Sequence, residues 1–137
     1  MYTYLRLSWI ISFFVSSSLY AGELNWSHDY QSSLLQAQET NKDIYLFIGA
    51  DICKFCDRFK DIALADKDIM KKLRKEYILV YLSRDRHLIP KGFETKGVPR
   101  HYFIDPQGKV FHETWGDREV AGFYDVLDEA ELNKMED

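Results

Sequence analysis

Two uninterrupted apolar runs, Ile44–Ile48 and Tyr77–Leu82, constrain the fold of this chain more than any other feature. Both are short and rich in Ile, Tyr, Phe and Val. A strand with one wet face alternates apolar and polar residues. A continuous run of this length reads as a strand buried on both faces. Such strands usually lie parallel, and parallel neighbours need a crossover. The residues between the runs supply one. Phe55, Phe59, Ile62 and Ala63 recur at helical spacing, as do Ile69, Met70 and Leu73 behind a candidate cap at Asp66. A right-handed strand–helix–strand unit follows.

The flanking segments complete an α/β architecture. Trp26–Gln38 is predicted to be a helix capped by Ser27, with Tyr30, Leu34, Leu35 and Ala37 at helical spacing. Residues 84–97 hold Pro90, Gly92 and Gly97 and read as a loop. His101–Ile104 and Lys109–Trp115 form a hairpin around the turn Asp105-Pro106-Gln107-Gly108. Asp117–Asn133 is the last helix, with Val120, Phe123, Tyr124 and Leu127 on one face. The acidic tail from Asp128 reads as a solvated, fraying end. Tyr102, Phe103, Phe111, Trp115, Phe123 and Tyr124 are assigned to the core. The expected sheet is mixed, of four to five strands, with helices on its faces.

The N-terminal 21 residues read as an address instead. Arg6 precedes the apolar run Leu7–Val15, and the small residues Ser16–Ser18 lead to Ala21. This is the order of a secretory signal cleaved after Ala21, leaving one domain over residues 22–137. A membrane anchor is the alternative, although a spanning helix wants about 20 apolar residues. The remaining composition excludes several classes. An apolar fraction of 46% with 15% aromatics does not suit a disordered chain. A formal charge of −4 does not suit a general nucleic-acid binder. Two cysteines cannot fill a four-cysteine zinc site.

Those two cysteines sit three apart, as Cys53-Lys54-Phe55-Cys56, after a buried strand and at the start of a helix. A bridge this short constrains the unfolded chain little, so a redox role outweighs a structural staple. At a helix N-terminus, unpaired N–H groups and the helix dipole favour a thiolate on Cys53. Cys56 stands one turn later and can resolve the mixed disulfide that Cys53 forms. Lys54, Arg58 and Lys60 add positive charge nearby, and Asp51 and Asp57 oppose it.

Residues 24–133 resemble the thioredoxin superfamily, and within it the periplasmic group that includes the C-terminal domain of the DsbD reductase. The resemblance rests on Trp26, the strand 44–48, Gly49-Ala50-Asp51, the Cys53–Cys56 motif, the Asp66-Lys67-Asp68 turn, the strand 77–82 and Gly97-Val98-Pro99. It implies a thioredoxin fold and a cis Val98–Pro99 bond beside the cysteines. It also implies that the Val98 backbone pairs with an extended substrate peptide. Two departures bear on mechanism. Ile52 stands where thioredoxins commonly carry Trp, which alters the substrate-facing surface. Phe47 and Lys60 stand where reducing members place buried acids.

The expected activity is exported thiol:disulfide oxidoreduction, with reduction of protein disulfides first and oxidation or isomerisation second. Catalysis is assigned to Cys53 and Cys56, substrate contact to Val98, Pro99 and Ile52, and tuning to Lys54, Phe55 and His101. No bound cofactor and no metal are expected. The expected partners are disulfide-containing proteins and a DsbD-type membrane electron donor, with a monomeric, periplasmic chain that binds no nucleic acid. From a different class, a copper-binding chaperone would use Cys53, Cys56 and His101.

Overall fold

The computed structural model describes residues 25–94 and 97–137. The signal reading of residues 1–21 lies outside them. Among the described residues no helix is long and apolar enough to cross a membrane.

The elements run α1 (Tyr30–Thr40), β1 (Asp43–Gly49), α2 (Lys54–Ile62), α3 (Lys67–Glu76), β2 (Tyr77–Ser83), β3 (Arg100–Ile104), β4 (Val110–Trp115) and α4 (Val120–Glu136). The sheet has four strands in the order β2-β1-β3-β4. β1 pairs parallel with β2, from Asp43 opposite Tyr77 to Gly49 opposite Ser83. β3 runs antiparallel to β1, and β4 antiparallel to β3. This is the mixed α/β sheet of the thioredoxin fold.

β1 is buried along its whole length, and its alternation sorts two cores by size. Tyr45 and Phe47 face α2, α3 and α4, where Phe59, Ile69, Leu73, Phe123 and Leu127 close the layer. Ile44, Leu46 and Ile48 face the opposite way, onto Tyr30 and Ala37 of α1 and Phe93 of the loop between β2 and β3. The continuous apolar run is therefore two half-patterns interleaved at period two.

Local chemistry sets the ends of the helices. Asp66 accepts from the backbone N–H groups of Asp68 and Ile69 at 3.0 and 2.9 Å, and so starts α3. Asp29, not Ser27, caps α1, accepting from Ser32 N–H at 3.1 Å. Ser27 lies two residues before the cap. Its backbone bonds to Leu79 O and Tyr81 N at 3.1 and 2.9 Å, so it extends the sheet beside β2. The segment read as the helix start is a bridge that docks Trp26 against Tyr45.

The last helix also differs from expectation. It begins at Val120 and continues to Glu136, so the acidic tail does not fray. Ala130 is buried, Asn133 bonds to His112 at 2.9 Å, and Lys134 pairs with the buried Asp43 at the start of β1. Trp115 is not in the core. It lies 70% exposed at the end of β4, while Tyr102, Phe103, Phe111 and Phe123 are core. Tyr124 is half-buried.

Asp66→Ala removes the acceptor for two backbone donors at once. It is expected to lower the unfolding free energy by about 1 kcal/mol. The measurement is the urea midpoint, with the slope unchanged. An unmoved midpoint would mean that packing alone holds the start of α3.

Candidate active site

β1 ends at Gly49, and three residues later the chain enters α2 with Cys53 as its N-cap. The Cys53 backbone is extended, and its sulfur accepts the Cys56 N–H at 3.1 Å. A capping acceptor normally satisfies one of the unpaired donors of a helix's first turn. Here a sulfur does so, and negative charge on it would meet the positive end of the helix dipole. Cys53 and Cys56 are joined as a disulfide. The two sulfurs are unequal in access. Cys56 is fully buried, and Cys53 is half-buried.

Most charges around this turn are already committed. Arg58 pairs with Asp117 and Glu119 ahead of α4, and these partners raise its pKa. Lys60 donates to the Tyr81 hydroxyl at 3.3 Å. Asp51 accepts from Ser83 Oγ and Arg86 Nε, both at 2.7 Å. The Arg86 hydrogen bond leads the effects that hold its carboxyl below the usual carboxylate range. Lys54, Phe55 and Asp57 remain exposed on the first turn of α2.

Asp51 belongs to a clamp that sequence reasoning missed. Its backbone N–H donates to Asp85 at 2.8 Å, and Arg84 N–H donates to Gly49 O at 3.0 Å. Ser83 N–H donates to His87 Nδ1 at 2.8 Å, and the His87 ring stacks on His28 with centroids 4.5 Å apart. The turn after β2 thus grips the loop that carries Cys53. No local motif announces this, since the partners lie more than thirty residues apart; parallel pairing of β1 with β2 brings them together.

The loop before β3 forms the other wall. The Val98–Pro99 bond is cis, and Pro99 O accepts from Gly116 N–H at 2.9 Å. Val98 packs against the same core cluster as Cys53 and Cys56, and against the cluster on the other face. Three large apolar side chains stay in water on this end of the molecule. Ile52 is 96% exposed, Phe55 54% and Trp115 70%. Trp115 lies opposite Arg100 in the β3–β4 ladder, next to Pro99. A tryptophan at a strand end is the signal available in the sequence, but strand periodicity alone cannot tell an inward ring from an outward one at a ladder's last rung.

His101 does not join the cysteines. It is fully buried under α2, 4.7 Å from the Phe59 ring and 5.5 Å from Phe47, centroid to centroid. Its Nε2 lies 2.9 Å from Gly116 O and must carry the hydrogen. Its Nδ1 accordingly accepts from the Tyr45 hydroxyl at 2.7 Å. Both ring nitrogens are engaged, which leaves neither for a metal or for Cys53. Burial lowers its pKa from 6.5 to about 4. Its place is structural: it seats Phe59 and so the floor beneath α2. Arg100, the neighbour on the strand, faces the other way and lies over Tyr102.

Residues 25–106 match the thioredoxin-like family, and the chain belongs to it. An uncharacterised protein of Archaeoglobus fulgidus is 33% identical over 63 residues, covering 46% of this chain and 50% of its own length. The chain spans about half the length of the curated relatives it matches. Among solved structures, a thioredoxin from Thermus thermophilus superposes with a TM-score of 0.63 at 21% identity, covering 80% of this chain and 85% of its own. The C-terminal domain of Neisseria meningitidis DsbD, in its oxidised form, gives 0.56 at 15% identity, covering 77% and 98%. The molecule has a thioredoxin-like oxidoreductase fold with a CxxC disulfide, similar to the DsbD C-terminal domain.

The depressed His101 pKa sets a pH window. Unfolded, the ring titrates near 6.5; folded, near about 4. Between these values the unfolded state binds more protons, so stability falls as pH drops through the window and is unaffected by this group above it. The full effect is on the order of 3 kcal/mol. The urea midpoint of the wild type is expected to fall between pH 7 and pH 5. His101→Gln is expected to lose most of that slope. A wild-type midpoint that stays level would show that the ring is not held neutral.

Proposed function

We propose that this chain is an exported thiol:disulfide reductase acting on protein disulfides. The observation that carries the reading is the Cys53 sulfur itself: it caps α2, accepts the Cys56 N–H and remains reachable while Cys56 is buried. In the reduced protein the Cys53 thiolate attacks a substrate disulfide and forms a mixed disulfide. Cys56 then attacks Cys53 and releases the reduced substrate. Pro99, whose carbonyl is held by Gly116, sits against the cysteines, and Val98 offers its backbone to an extended substrate segment. Ile52 and Phe55, with Trp115 beyond the Pro99 loop, supply apolar contact around it. Strand addition of this kind recognises backbone more than sequence, which suits a reductase with several substrates. Lys54 is the exposed cation of the motif and adds positive potential beside Cys53. The reaction uses the cysteine pair and no bound cofactor.

The signal-like residues 1–21 support export to a periplasm. There a reductase must be re-reduced, and a DsbD-type membrane donor is the expected partner. The chain acts as a monomer on disulfide-containing proteins.

The reduction potential of the Cys53–Cys56 pair tests the direction. It is expected near about −270 mV, the thioredoxin end of the scale. A value near about −120 mV would make the protein an oxidant and overturn the reductase reading. Cys56→Ser is expected to accumulate mixed disulfides in cells, and Cys53→Ser to accumulate none. If neither variant traps a partner, the site does not exchange with proteins.

A further inference from the structure

The dithiol reading leaves one charge unaccounted for. Cys56 is fully buried, yet it must become a thiolate to close on Cys53. A buried thiolate without a partner is costly. The positions where reducing members place acids hold Phe47 and Lys60 here, and Phe47 packs in the core with no polar atom to offer.

Gly49 shows what takes their place. A Cβ at this residue would stand 3.0 Å from the Tyr81 hydroxyl and 3.5 Å from Cys56 Sγ. The hydroxyl and the sulfur thus border one small space that the glycine keeps open. Lys60 Nζ donates to the same hydroxyl at 3.3 Å and lies 4.6 Å from the centre of the Tyr81 ring. With one oxygen lone pair engaged by the ammonium, the phenol keeps its own hydrogen to give.

The other titratable groups nearby are placed differently. From α2, Cys53 is the disulfide partner, while Asp57 and Asp61 lie on the exposed side and Arg58 is paired with Asp117 and Glu119. His28 and His87 meet the Tyr81 ring at 6.0 and 6.4 Å, centroid to centroid. His101, from β3, has both nitrogens bonded to Tyr45 and Gly116. β1 presents Phe47, and α4 meets this layer through Phe123.

We propose that Tyr81 and Lys60 are a positioning pair that lets Cys56 ionise, an inference that rests on the dithiol reading above. Once Cys53 is joined to substrate, the Cys56 thiol gives its proton to water. The resulting thiolate accepts the Tyr81 hydroxyl hydrogen, and the Lys60 charge, held on that hydroxyl, stabilises it. Cys56 Sγ then bonds to Cys53 Sγ, and the Cys53–substrate bond breaks. Its electron pair leaves on the substrate sulfur, which takes up a proton from water. The cysteine pair is oxidised by two electrons and the substrate disulfide is reduced by two.

The test follows the second step alone. Reduced full-length protein is mixed with oxidised glutathione, and decay of the Cys53–glutathione adduct is timed across pH. Tyr81→Phe and Lys60→Met are each expected to raise the pH midpoint of this decay by about one unit, a roughly tenfold slowing near neutrality. Lys60→Arg is expected to restore the wild-type profile. Alkylation of Cys53 in a Cys56→Ser background is expected to keep its own pH profile when Tyr81→Phe is added. Decay profiles that overlay the wild type overturn the proposal, and so does an equal shift in Cys53 alkylation, which would mean a general loosening of α2. Because glutathione carries the test, a chain that resolves this adduct yet reduces no protein disulfide refutes the reductase reading and not the role of this pair.

Discussion

Every part of the site is referred to β1, a strand with no wet face. Burial on both sides usually weakens the definition of register, because a slip of one residue exchanges one apolar set for another. Here the two sets differ in size. Tyr45 and Phe47 fill the layer under α2 and α4, and Ile44, Leu46 and Ile48 fill the layer over α1. Exchanging them would overpack one core and leave voids in the other, and each error costs on the order of 1–3 kcal/mol or more. A polar contact adds to the definition. The Tyr45 hydroxyl has one buried partner, His101 Nδ1, which a slipped strand would abandon. Correct register puts Gly49 opposite Ser83, and from there the path to Cys53 is fixed.

The same geometry fits the proposed exchange role of the disulfide. In the chain-entropy account, closing a loop of about four residues is worth about 2 kcal/mol, against about 4.7 kcal/mol for a hundred-residue loop. A domain with two well-filled cores gains little from so short a staple. What the position does supply is a difference between two sulfurs. One lies at the mouth of the helix and can be reached; the other is sealed behind it. Direction depends on how far the fold favours the dithiol over the disulfide. The about 150 mV between the thioredoxin and DsbA ends of the scale is about 7 kcal/mol for two electrons. Differences of that size come from the groups that touch the thiolates, more than from the fold that carries them.

The strands were legible because their signal is local. β1 and β2 appear in the sequence as apolar runs, and the hairpin as a turn with Pro and Gly in their places. The start of α3 was legible for the same reason, since Asp66 bonds to residues two and three ahead of it. Errors arose where a distant partner overrode a local preference. Ser27 is a good cap in isolation, but β2 offers it a sheet edge. The acidic end of α4 would fray alone, but Asp43 holds Lys134 and a packed face buries Ala130. In the site, Cys53 and Cys56 were legible by spacing and Pro99 by family resemblance. The Asp51 clamp was not, because its members meet only when β1 and β2 pair. Proximity to Pro99 in the sequence points His101 toward the cysteines, whereas the strand turns it into the core.

The tethers of α2 explain how a helix can present a reactive end and stay in place. At its N-terminal end the Asp51 clamp fixes the loop that delivers Cys53. In its middle, Phe59 sits on His101 and Phe123 at 4.7 and 5.0 Å. On its outer side, Arg58 is tied to Asp117 and Glu119. Exposed ion pairs like the last contribute little stability, typically below about 1 kcal/mol. Their consequence is electrostatic. A guanidinium shared between two carboxylates projects little net charge toward the sulfurs, and Asp51 is likewise neutralised by Arg86. The field at the disulfide therefore falls to the helix dipole, to Lys54 and Asp57 of opposite sign on the exposed first turn, and to Lys60 inside. Lys54 and Lys60 stand on different sides of the disulfide. Lys54 is exposed and follows Cys53 in the chain, and the partly buried Lys60 is held on the Tyr81 hydroxyl, on the side of Cys56. A single short helix can in this way treat its two cysteines separately, which a dipole acting along the axis alone could not do.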